Sequence, residues 1–348
     1  MQKKNICNLS LQELKQALDG WGEKTFHARQ IFSWIYQKGA KDFSQMSNLS
    51  LGLREKLAEN LHLFGLDSIG VLKSSDGTEK FLFELKDKNF IEAVTIPAKD
   101  RVTACISSQV GCKFSCRFCA SGILGFKRNL SCAEMLNEVL YLKNDSHNKK
   151  ITHIVFMGTG EPLDNYAEVL KAIRMINAPY GFNIGARRIT ISTSGIIPGI
   201  KKLSDEGMQI ELSVSLHAAD KKMRDLIMPI NKIYPLEKLI ASCRDYFKKT
   251  NRQVTFEYIL IKGLNSDLQS AQKLGKILTG FDSKVNLIPA NLVKGLKVGP
   301  PEGKEILLFK DVLLKSGIKV TLRKSRGEDI DAACGQLRLK YAEKSNYY

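Results

Sequence analysis

Three cysteines stand close together in the stretch GCKFSCRFCA, at positions 112, 116 and 119, with the spacing C-x3-C-x2-C. A closed zinc site uses four Cys or His ligands, usually as two C-x2-C pairs, and the sequence has no second pair. His217 or His153 could complete a zinc site, but neither stands at a familiar spacing. A [4Fe–4S] cluster usually takes four cysteines. With three, one iron would lack a protein ligand and could bind a substrate.

The chain of 348 residues is 43% hydrophobic, which predicts a globular protein rather than a disordered one. Its net charge of +17 and isoelectric point of about 9.4 indicate a polyanionic partner, either nucleic acid or an anionic membrane surface. The first residues, MQKKNICNLSLQELKQ, lack the apolar run of a signal peptide, and no stretch approaches the roughly 20 apolar residues of a membrane span. We therefore expect a cytoplasmic protein without structural disulfides among its eight cysteines.

A small helical unit is expected over residues 1–65. Its first helix begins with SLQE, a capping box formed by Ser10 and Glu13. Apolar periodicity predicts two further helices at 27–38 and 50–60.

A β-strand extension is expected over residues 66–100. Strands are predicted near 71–74, at 80–85 and at 90–97, with an Asp-Gly turn between the first two.

From residue 101 to the end, strand-like and helical segments alternate, which favours a parallel sheet with helical crossovers. The expected strands are VTACIS, THIVFM, RRITIS, IELSVSL, QVTFEYIL, KVNLIP and IKVTLR. The expected helices begin at the capping box of Ser131 and Glu134 and then cover 165–177, 198–206, 235–249, 266–279 and 302–316. We predict an α/β fold in which residues 101–348 form a partial (β/α)6 barrel. A flat doubly wound sheet is the alternative.

Small, polar and charged residues follow several of these strands. The segments are MGTGEP at 157–162, STSG at 192–195, SLHA at 215–218 and PAN at 289–291. Each alone is typical of an ordinary turn. Because ligands bind where parallel strands end, their joint occurrence beside the cysteine loop predicts one site at that edge.

The cysteine spacing resembles that of the radical S-adenosylmethionine (SAM) superfamily. This resemblance implies a [4Fe–4S] cluster held by Cys112, Cys116 and Cys119, whose open iron chelates SAM and whose electron cleaves it to a 5′-deoxyadenosyl radical. It also implies that Phe118 packs near the adenine of SAM, although Phe118 could equally anchor the loop.

The same resemblance implies a set of SAM-binding residues at the strand ends. In it, Gly160 and Glu161 hold the methionine amino group, since a carboxylate suits an ammonium partner. His217 alone would be more typical of a packed core histidine. The full set is Gly160, Glu161, Ser192, Ser215, Leu216, His217 and Asn291.

Two cysteines outside the loop extend the resemblance, although either alone would usually be a buried, inert residue. Cys105 stands in CISSQVGC and Cys334 in DIDAACGQL; with GFKRNL, these motifs resemble the RlmN family of radical SAM methyltransferases. That family methylates C2 of adenine in 23S ribosomal RNA, at the peptidyl-transferase centre, and of the adenine next to the anticodon in transfer RNAs. The resemblance implies that one SAM methylates Cys334 and that a second generates the radical. The methylene carbon then joins C2, and Cys105 resolves the protein–RNA adduct through a transient disulfide.

Glu92 is expected to share one face of its strand with Phe90, Val94 and Ile96. A carboxylate on this apolar face could be an inward charge that protects an edge strand. The resemblance implies instead that Glu92 accepts the C2 proton.

The basic residues could be solvated surface, but near this site we expect them to contact RNA phosphates. They are Lys113, Arg117, Lys127, Arg128, Arg187 and Arg188, which we expect to flank the site, and Arg323, Lys324 and Arg326 before Cys334. We further expect a monomer and a reductant such as flavodoxin, with no membrane partner.

Two other functions are considered. The related Cfr family methylates C8 of the same adenine, but the stretches GTGEP and FIEAVTIP favour C2. A non-catalytic iron–sulfur RNA-binding or redox protein would leave Cys105 and Cys334 unexplained.

Overall fold

The computed structural model describes residues 3–63, 65–122, 125–145, 150–290, 299–323 and 327–330, together with residue 337. Within these ranges the helices are α1 Leu11–Gly20, α2 His27–Tyr36, α3 Leu51–Asn60, α4 Cys132–Asp145, α5 Tyr166–Asn177, α6 Ile197–Asp205, α7 Lys221–Ile227, α8 Leu236–Thr250, α9 Leu268–Leu278 and α10 Gly303–Lys315. The strands there are β1 Lys4–Asn5, β2 Leu61–His62, β3 Ser68–Lys73, β4 Glu79–Glu84, β5 Phe90–Ala98, β6 Arg101–Cys105, β7 Gln109–Val110, β8 Arg128–Asn129, β9 His153–Phe156, β10 Ile189–Thr193, β11 Glu211–Ser215, β12 Val254–Leu260, β13 Ser283–Pro289 and β14 Lys319–Leu322.

The first three helices form the expected N-terminal unit. The capping box that starts α1 is confirmed: the Glu13 N–H donates to Ser10 Oγ at 3.2 Å, and the Ser10 N–H donates to Glu13 Oε2 at 2.6 Å. The parallel pair β1–β2 brings the two ends of the unit together. The unit docks on α4, where the Ala133 N–H donates to Asn8 Oδ1 at 2.8 Å. The domain boundaries at residues 65 and 100 remain predictions.

One sheet dominates the described residues, with the strand order β14-β13-β12-β11-β10-β9-β6-β5-β4-β3. Strand β6 and strands β9 to β14 are parallel neighbours in sequence order, with helices between them, which confirms the predicted partial (β/α)6 barrel. A doubly wound sheet reverses its strand order at a switch point. This order has no reversal, so that alternative is wrong.

Strands β3, β4 and β5 are antiparallel and extend the same sheet beyond β6. Since β5 lies between β4 and β6, it is an interior strand. The interpretation of Glu92 as a charge that protects an edge strand is therefore wrong.

The two faces of the parallel strands differ in chemistry. Register partners lie on the same face, and one face is apolar and buried in the core. Its residues include Phe156, Ile191, Leu212, Val214, Phe256 and Val285. The opposite face carries Thr190, Ser192, Ser213, Ser215, Thr255, Glu257 and Asn286. Branched apolar residues usually fill a (β/α) barrel, so the polar face indicates an interior suited to a hydrophilic ligand.

The sequence expectations did not include helix α7 or the short strand pairs β1–β2 and β7–β8. Helix α7 is short and follows β11, and the antiparallel pair β7–β8 brackets the cysteine loop. Both lie next to the segments expected to bind the cluster and SAM.

Candidate active site at the carboxyl ends of the parallel strands

The cysteine loop leaves the carboxyl end of β6 and runs between β7 and β8. Cys112, Cys116 and Cys119 are all partly buried in it. The Cys119 N–H donates to the Cys116 carbonyl at 3.1 Å, and the Arg117 N–H donates to the Ile227 carbonyl of α7 at 3.0 Å. These bonds fold the loop tightly and fasten it to the barrel.

Burial decides the protonation of the loop thiols. It raises the pKa of Cys112 to about 12, together with smaller contributions from neighbouring Cys119 and Glu161. The pKa of Cys116 is also raised by burial and by its two partner cysteines. Thiolates at such a site need a cationic partner such as iron.

Among the described residues, no three His, Cys, Asp or Glu side chains converge in the manner of a single-ion site. His153 lies at the start of β9 and therefore at the amino edge, away from the cysteine loop. It cannot complete a zinc site there.

Two buried hydroxyls beside the loop fit a bound polar cofactor. Ser121 follows the third cysteine, and Thr159 lies in the segment after β9. Neither Ser121 Oγ nor Thr159 Oγ1 has a hydrogen-bond partner among the described residues. A buried hydroxyl costs free energy when it is left unpaired, so a ligand that pairs with them would be favoured.

The segment after β9 packs against the start of the cysteine loop. The Glu161 N–H donates to Gln109 Oε1 at 2.8 Å, and the Gln109 N–H donates to the Thr159 carbonyl at 3.1 Å. Gly160 adopts a φ of 109°, and a Cβ there would lie 2.5 Å from the Cβ of Gln109. Glycine is required at this position because the two backbones approach so closely.

The Glu161 carboxylate joins two strand ends. Its Oε2 accepts hydrogen bonds from the N–H and the hydroxyl of Ser194, each at 2.7 Å, and its Oε1 accepts from the Leu163 N–H at 3.1 Å. Burial raises the pKa of Glu161, and the bonds from Ser194 partly offset that effect. The structure thus places this carboxylate between the loops that follow β9 and β10.

Ser192 and Ser215 lie on the polar face, at the ends of β10 and β11. Leu216 and His217 follow directly, and His217 has a left-handed φ of 57°. The Ile259 N–H donates to His217 Nδ1 at 3.0 Å. With Nδ1 as an acceptor, the neutral ring carries its proton on Nε2.

His217 is uncharged in the folded protein. Burial, reinforced by Arg224, lowers the pKa of His217 to about 3. Its ring meets Phe118 edge to face, with centroids 4.6 Å apart. Phe118 therefore connects the cysteine loop to the strand end that carries His217.

Arg224, on α7, was missed by sequence reasoning. Its side chain is 0% exposed, and its guanidinium donates to the carbonyls of Ser194 at 2.7 Å, Leu216 at 3.2 Å and Ser215 at 3.3 Å. Burial lowers the pKa of Arg224 to about 10. A single arginine in a short helix gives no sequence signal for this role. It holds the ends of β10 and β11 together.

Cys105 and Glu92 lie near this edge, on neighbouring strands. Cys105 ends β6 opposite Val94 of β5, and Glu92 lies two residues from Val94 on the same face. Both residues are buried, with 6% and 3% of their whole-residue surface exposed. The Glu92 carboxylate forms an ion pair with Lys80 of β4, with Nζ and Oε2 separated by 3.0 Å. The structure thus brings together the two residues that the sequence singled out.

Asn291 and Cys334 lie outside the described residues, as do Lys324 and Arg326. The segment 327–330, which leads toward Cys334, is described and docks on the turn between β3 and β4. Asp329 accepts hydrogen bonds from the Ser74 hydroxyl at 2.5 Å and from the Ser75 N–H at 3.0 Å. The β extension therefore anchors the chain just before Cys334.

The basic residues near the cysteine loop divide into two groups. Lys113 pairs with Asp164 at 2.5 Å, and Arg128 pairs with Glu134 at 2.8 Å. Arg117 and Lys127 are exposed.

The other basic residues lie elsewhere. The expectation that Arg187 and Arg188 flank the site is wrong, because they directly precede β10 and so lie at the opposite, amino edge. Arg323 lies 3.7 Å from the Glu257 carboxylate.

No helix in the described part of the chain is both long and apolar enough to cross a membrane.

Comparisons with known proteins cover almost the whole chain. A model of the ribosomal RNA large subunit methyltransferase N-terminal domain matches residues 4–63, and the radical SAM superfamily model matches residues 106–273. A probable dual-specificity RNA methyltransferase RlmN from Caldanaerobacter subterraneus subsp. tengcongensis is 46% identical, over 98% of this chain and 99% of that protein. The Clostridium novyi protein of the same name is 45% identical, over 97% and 98%. The crystal structure of a radical SAM methyltransferase from Sphaerobacter thermophilus is 42% identical, with a TM-score of 0.92 over 96% of this chain and 98% of that one.

Proposed function

This chain belongs to the RlmN family of radical SAM RNA methyltransferases, and on that premise we propose that it methylates C2 of an adenine in RNA. The substrates are 23S ribosomal RNA, at the peptidyl-transferase centre, and transfer RNAs, at the adenine next to the anticodon. The observation that carries this proposal is the placement of Cys105 and Glu92 on one face of the sheet, near the cysteine loop. The names of the relatives, which describe dual-specificity RNA methyltransferases, support both classes of RNA.

As a radical SAM enzyme, the protein uses a [4Fe–4S] cluster and SAM. When bound, these supply the carbon-centred radical that is needed because C2, between two electron-withdrawing nitrogens, is a poor nucleophile. In our proposal Cys112, Cys116 and Cys119 hold the cluster. This assignment is supported by their common loop and by their partial burial in it.

The residues proposed to bind SAM line the ends of β9, β10 and β11, and one lies beyond β13. The Glu161 carboxylate attracts the ammonium group, and neutral His217 offers Nε2–H as a donor. The complete set is Gly160, Glu161, Ser192, Ser215, Leu216, His217 and Asn291, of which Asn291 is proposed from sequence alone.

Cys334 and Cys105 act in successive steps of the methyl transfer. The sulfur of Cys334 accepts a methyl group from one SAM by displacement, and a second SAM is consumed when that methyl group loses a hydrogen atom. The methylene carbon then bonds to C2. Glu92 takes the C2 proton as the adduct radical passes one electron to an acceptor, a role that the oxidised iron–sulfur cluster would fill. The Cys105 thiolate attacks the Cys334 sulfur. As the S–S bond forms, the S–C bond breaks and its electron pair remains on the carbon, which takes a proton to become the methyl group.

The target adenine must leave its stack to reach these residues. A net charge of +17 and exposed Arg117 and Lys127 near the cysteine loop support contact with RNA phosphates. We assign the N-terminal unit a role in binding the RNA. A flavodoxin-type reductant and a monomeric enzyme complete the proposal.

The test is anaerobic reconstitution with iron, sulfide, a reductant, labelled SAM and unmodified RNA. Nucleosides from the digested RNA are then identified by mass spectrometry. We expect 2-methyladenosine from the wild type, no methyl transfer from Cys334→Ala, and a stalled protein–RNA adduct from Cys105→Ala. Detection of 8-methyladenosine would overturn the assignment to C2. SAM cleavage without RNA methylation would overturn the proposed activity.

A further inference from the structure

Lys80 is a lysine that the fold buries completely. Its side chain is 0% exposed, and its Nζ lies 3.0 Å from Oε2 of Glu92, whose side chain is 4% exposed. Lysine is almost never fully buried unless it is paired. Burying both charges is costly in free energy, and their mutual attraction offsets that cost only when the geometry is good. Stability alone therefore does not account for the presence of this buried ion pair.

The strand register places Lys80 beside the reacting groups. Lys80 pairs with Val94 across β4 and β5, and Val94 pairs with Cys105 across β5 and β6. These three residues form one row on the same face of the sheet, and Glu92 lies one step along that face. The ammonium, the carboxylate and the thiol thus share one patch of the sheet.

Neither family model covers this lysine. Lys80 belongs to β4, between the matched ranges 4–63 and 106–273. The β extension therefore contributes a charged group to the site in addition to the anchor for the Cys334 segment.

The same hairpin contains a second ion pair that serves as a reference. Lys73 of β3 lies 2.9 Å from Glu79 of β4, but their side chains are 57% and 18% exposed. Glu79 directly precedes Lys80 in the strand, so this pair lies on the opposite face. Exposed pairs contribute little to stability. The two pairs have the same chemistry and differ in burial and in distance from the site.

We propose that Lys80 is a positioning residue that acts through Glu92. Its ammonium fixes the orientation of the Glu92 carboxylate and compensates its charge inside the protein, so that the carboxylate can take the C2 proton of the adduct. This inference rests on the role of Glu92 under the proposed function. It assigns to the β extension the control of proton removal, separate from cofactor binding.

The experiment follows two partial reactions in the full-length, reconstituted enzyme. Intact-protein mass spectrometry measures methylation of Cys334, and denaturing gels with labelled RNA measure the decay of the protein–RNA adduct. The variants are Lys80→Met, Lys80→Arg, Glu92→Gln and the double variant Lys80→Met/Glu92→Gln. Lys73→Met is the matched control.

We expect Lys80→Met to slow decay of the adduct by about 10- to 100-fold, at or below the lower end of the roughly 10²- to 10⁴-fold that a general base contributes, because the Glu92 carboxylate is still present. Methylation of Cys334 should be unchanged. Lys80→Arg should restore part of the rate, and Lys73→Met should match the wild type. Since Lys80 acts through Glu92, adding Lys80→Met to Glu92→Gln should cause no further loss.

Three results would overturn the inference. One is equal adduct decay in Lys80→Met and Lys73→Met. Another is a further loss when Lys80→Met is added to Glu92→Gln, since Lys80 would then act independently. The third is normal adduct decay in Glu92→Gln. Lys80→Met leaves the Glu92 carboxylate buried without its partner, and this variant could fail to fold. In that case the double variant, which removes both charges, is compared with Glu92→Gln alone. Failure of the proposed function is recognised separately, as the absence of methylated adenine in the wild-type reaction.

Discussion

The parallel strands and the antiparallel extension of this sheet build the site in different ways. At the carboxyl ends of β9, β10 and β11, most of the site residues lie in loops, and buried side chains such as Gln109 and Arg224 hold those loops together. In β4 and β5, the site residues lie within the strands. Lys80 lies in the same row as Cys105, and Glu92 lies one step along the same face. Under the proposed function, this difference means that one region of the sheet binds the cofactor and the other acts on the RNA adduct. Variants in one region should therefore spare the partial reactions of the other.

The largest effect is expected in the parallel region, at the cysteine loop. Cys112→Ala should abolish bound iron and its visible absorbance after reconstitution, and RNA methylation should fall below detection. The reason is that two thiols cannot replace three in holding the cluster. Iron analysis and a methylation assay check this outcome. Circular dichroism should show that the rest of the fold persists.

Cys132→Ala is the matched control for this change. Cys132 is close to the loop in sequence, but it is buried at the start of α4, where its backbone N–H donates to Glu168 Oε2 at 2.7 Å. We expect this variant to retain iron and activity. A full iron complement in Cys112→Ala, or its loss in Cys132→Ala, would contradict the ligand assignment.

An intermediate effect is expected from pH. It tests how the parallel region buries a titratable side chain. The parallel region buries His217 beside a cation, which helps to hold the pKa of His217 at about 3, below its ordinary 6.5. Between these values the unfolded chain binds a proton that the folded chain does not, so stability falls as pH drops below 6.5. From pH 6.5 to 5 the loss is about 2 kcal/mol, taking roughly 1.4 kcal/mol for each pH unit.

Denaturant unfolding of wild type and His217→Gln at several pH values measures this contribution. The difference in unfolding free energy between wild type and His217→Gln should grow as the pH rises from 5 to 7, because glutamine does not titrate. Identical pH slopes for both proteins would show that His217 is not the buried group responsible.

The smallest effect is expected at the exposed end of the extension. Asp329→Ala removes the two hydrogen bonds to Ser74 and Ser75 that dock the segment before Cys334. We expect methylation of Cys334 to slow by about tenfold, in line with the modest net value of hydrogen bonds. Iron content and SAM affinity should stay at wild-type levels. Intact-protein mass spectrometry and SAM binding measurements test this separation.

Asp329→Asn is the control, since its amide oxygen can still accept the bond from Ser74. It should restore most of the rate. Weakened SAM binding in Asp329→Ala would mean that the extension also supports the cofactor, and the separation between the two regions would fail.

Sequence patterns predicted much of the fold because their signals are local. The capping boxes at Ser10 and Ser131 involve residues three apart, and both form as predicted. The alternation of strands and helices predicted the order of the barrel elements. The short helix α7 was missed because its seven residues contain too few turns to show a period.

Placement relative to the site was harder to predict. Arg187 and Arg188 are close in sequence to a site strand, yet they precede it and lie at the opposite edge. Glu92 was correctly placed on the face that carries Val94. The edge-strand interpretation failed because strand neighbours depend on distant segments.

Local chemistry in the chain was sufficient to indicate a three-cysteine loop, polar strand ends and an unusual carboxylate in a strand. The partners of these groups became visible only in the folded sheet, as with Lys80 for Glu92, Gln109 for Gly160 and Arg224 for the ends of β10 and β11. The physical reason is register. A shift of one residue in strand pairing moves every side chain to the other face, and the packing of the whole sheet, rather than any short segment, selects the pairing that brings these residues together.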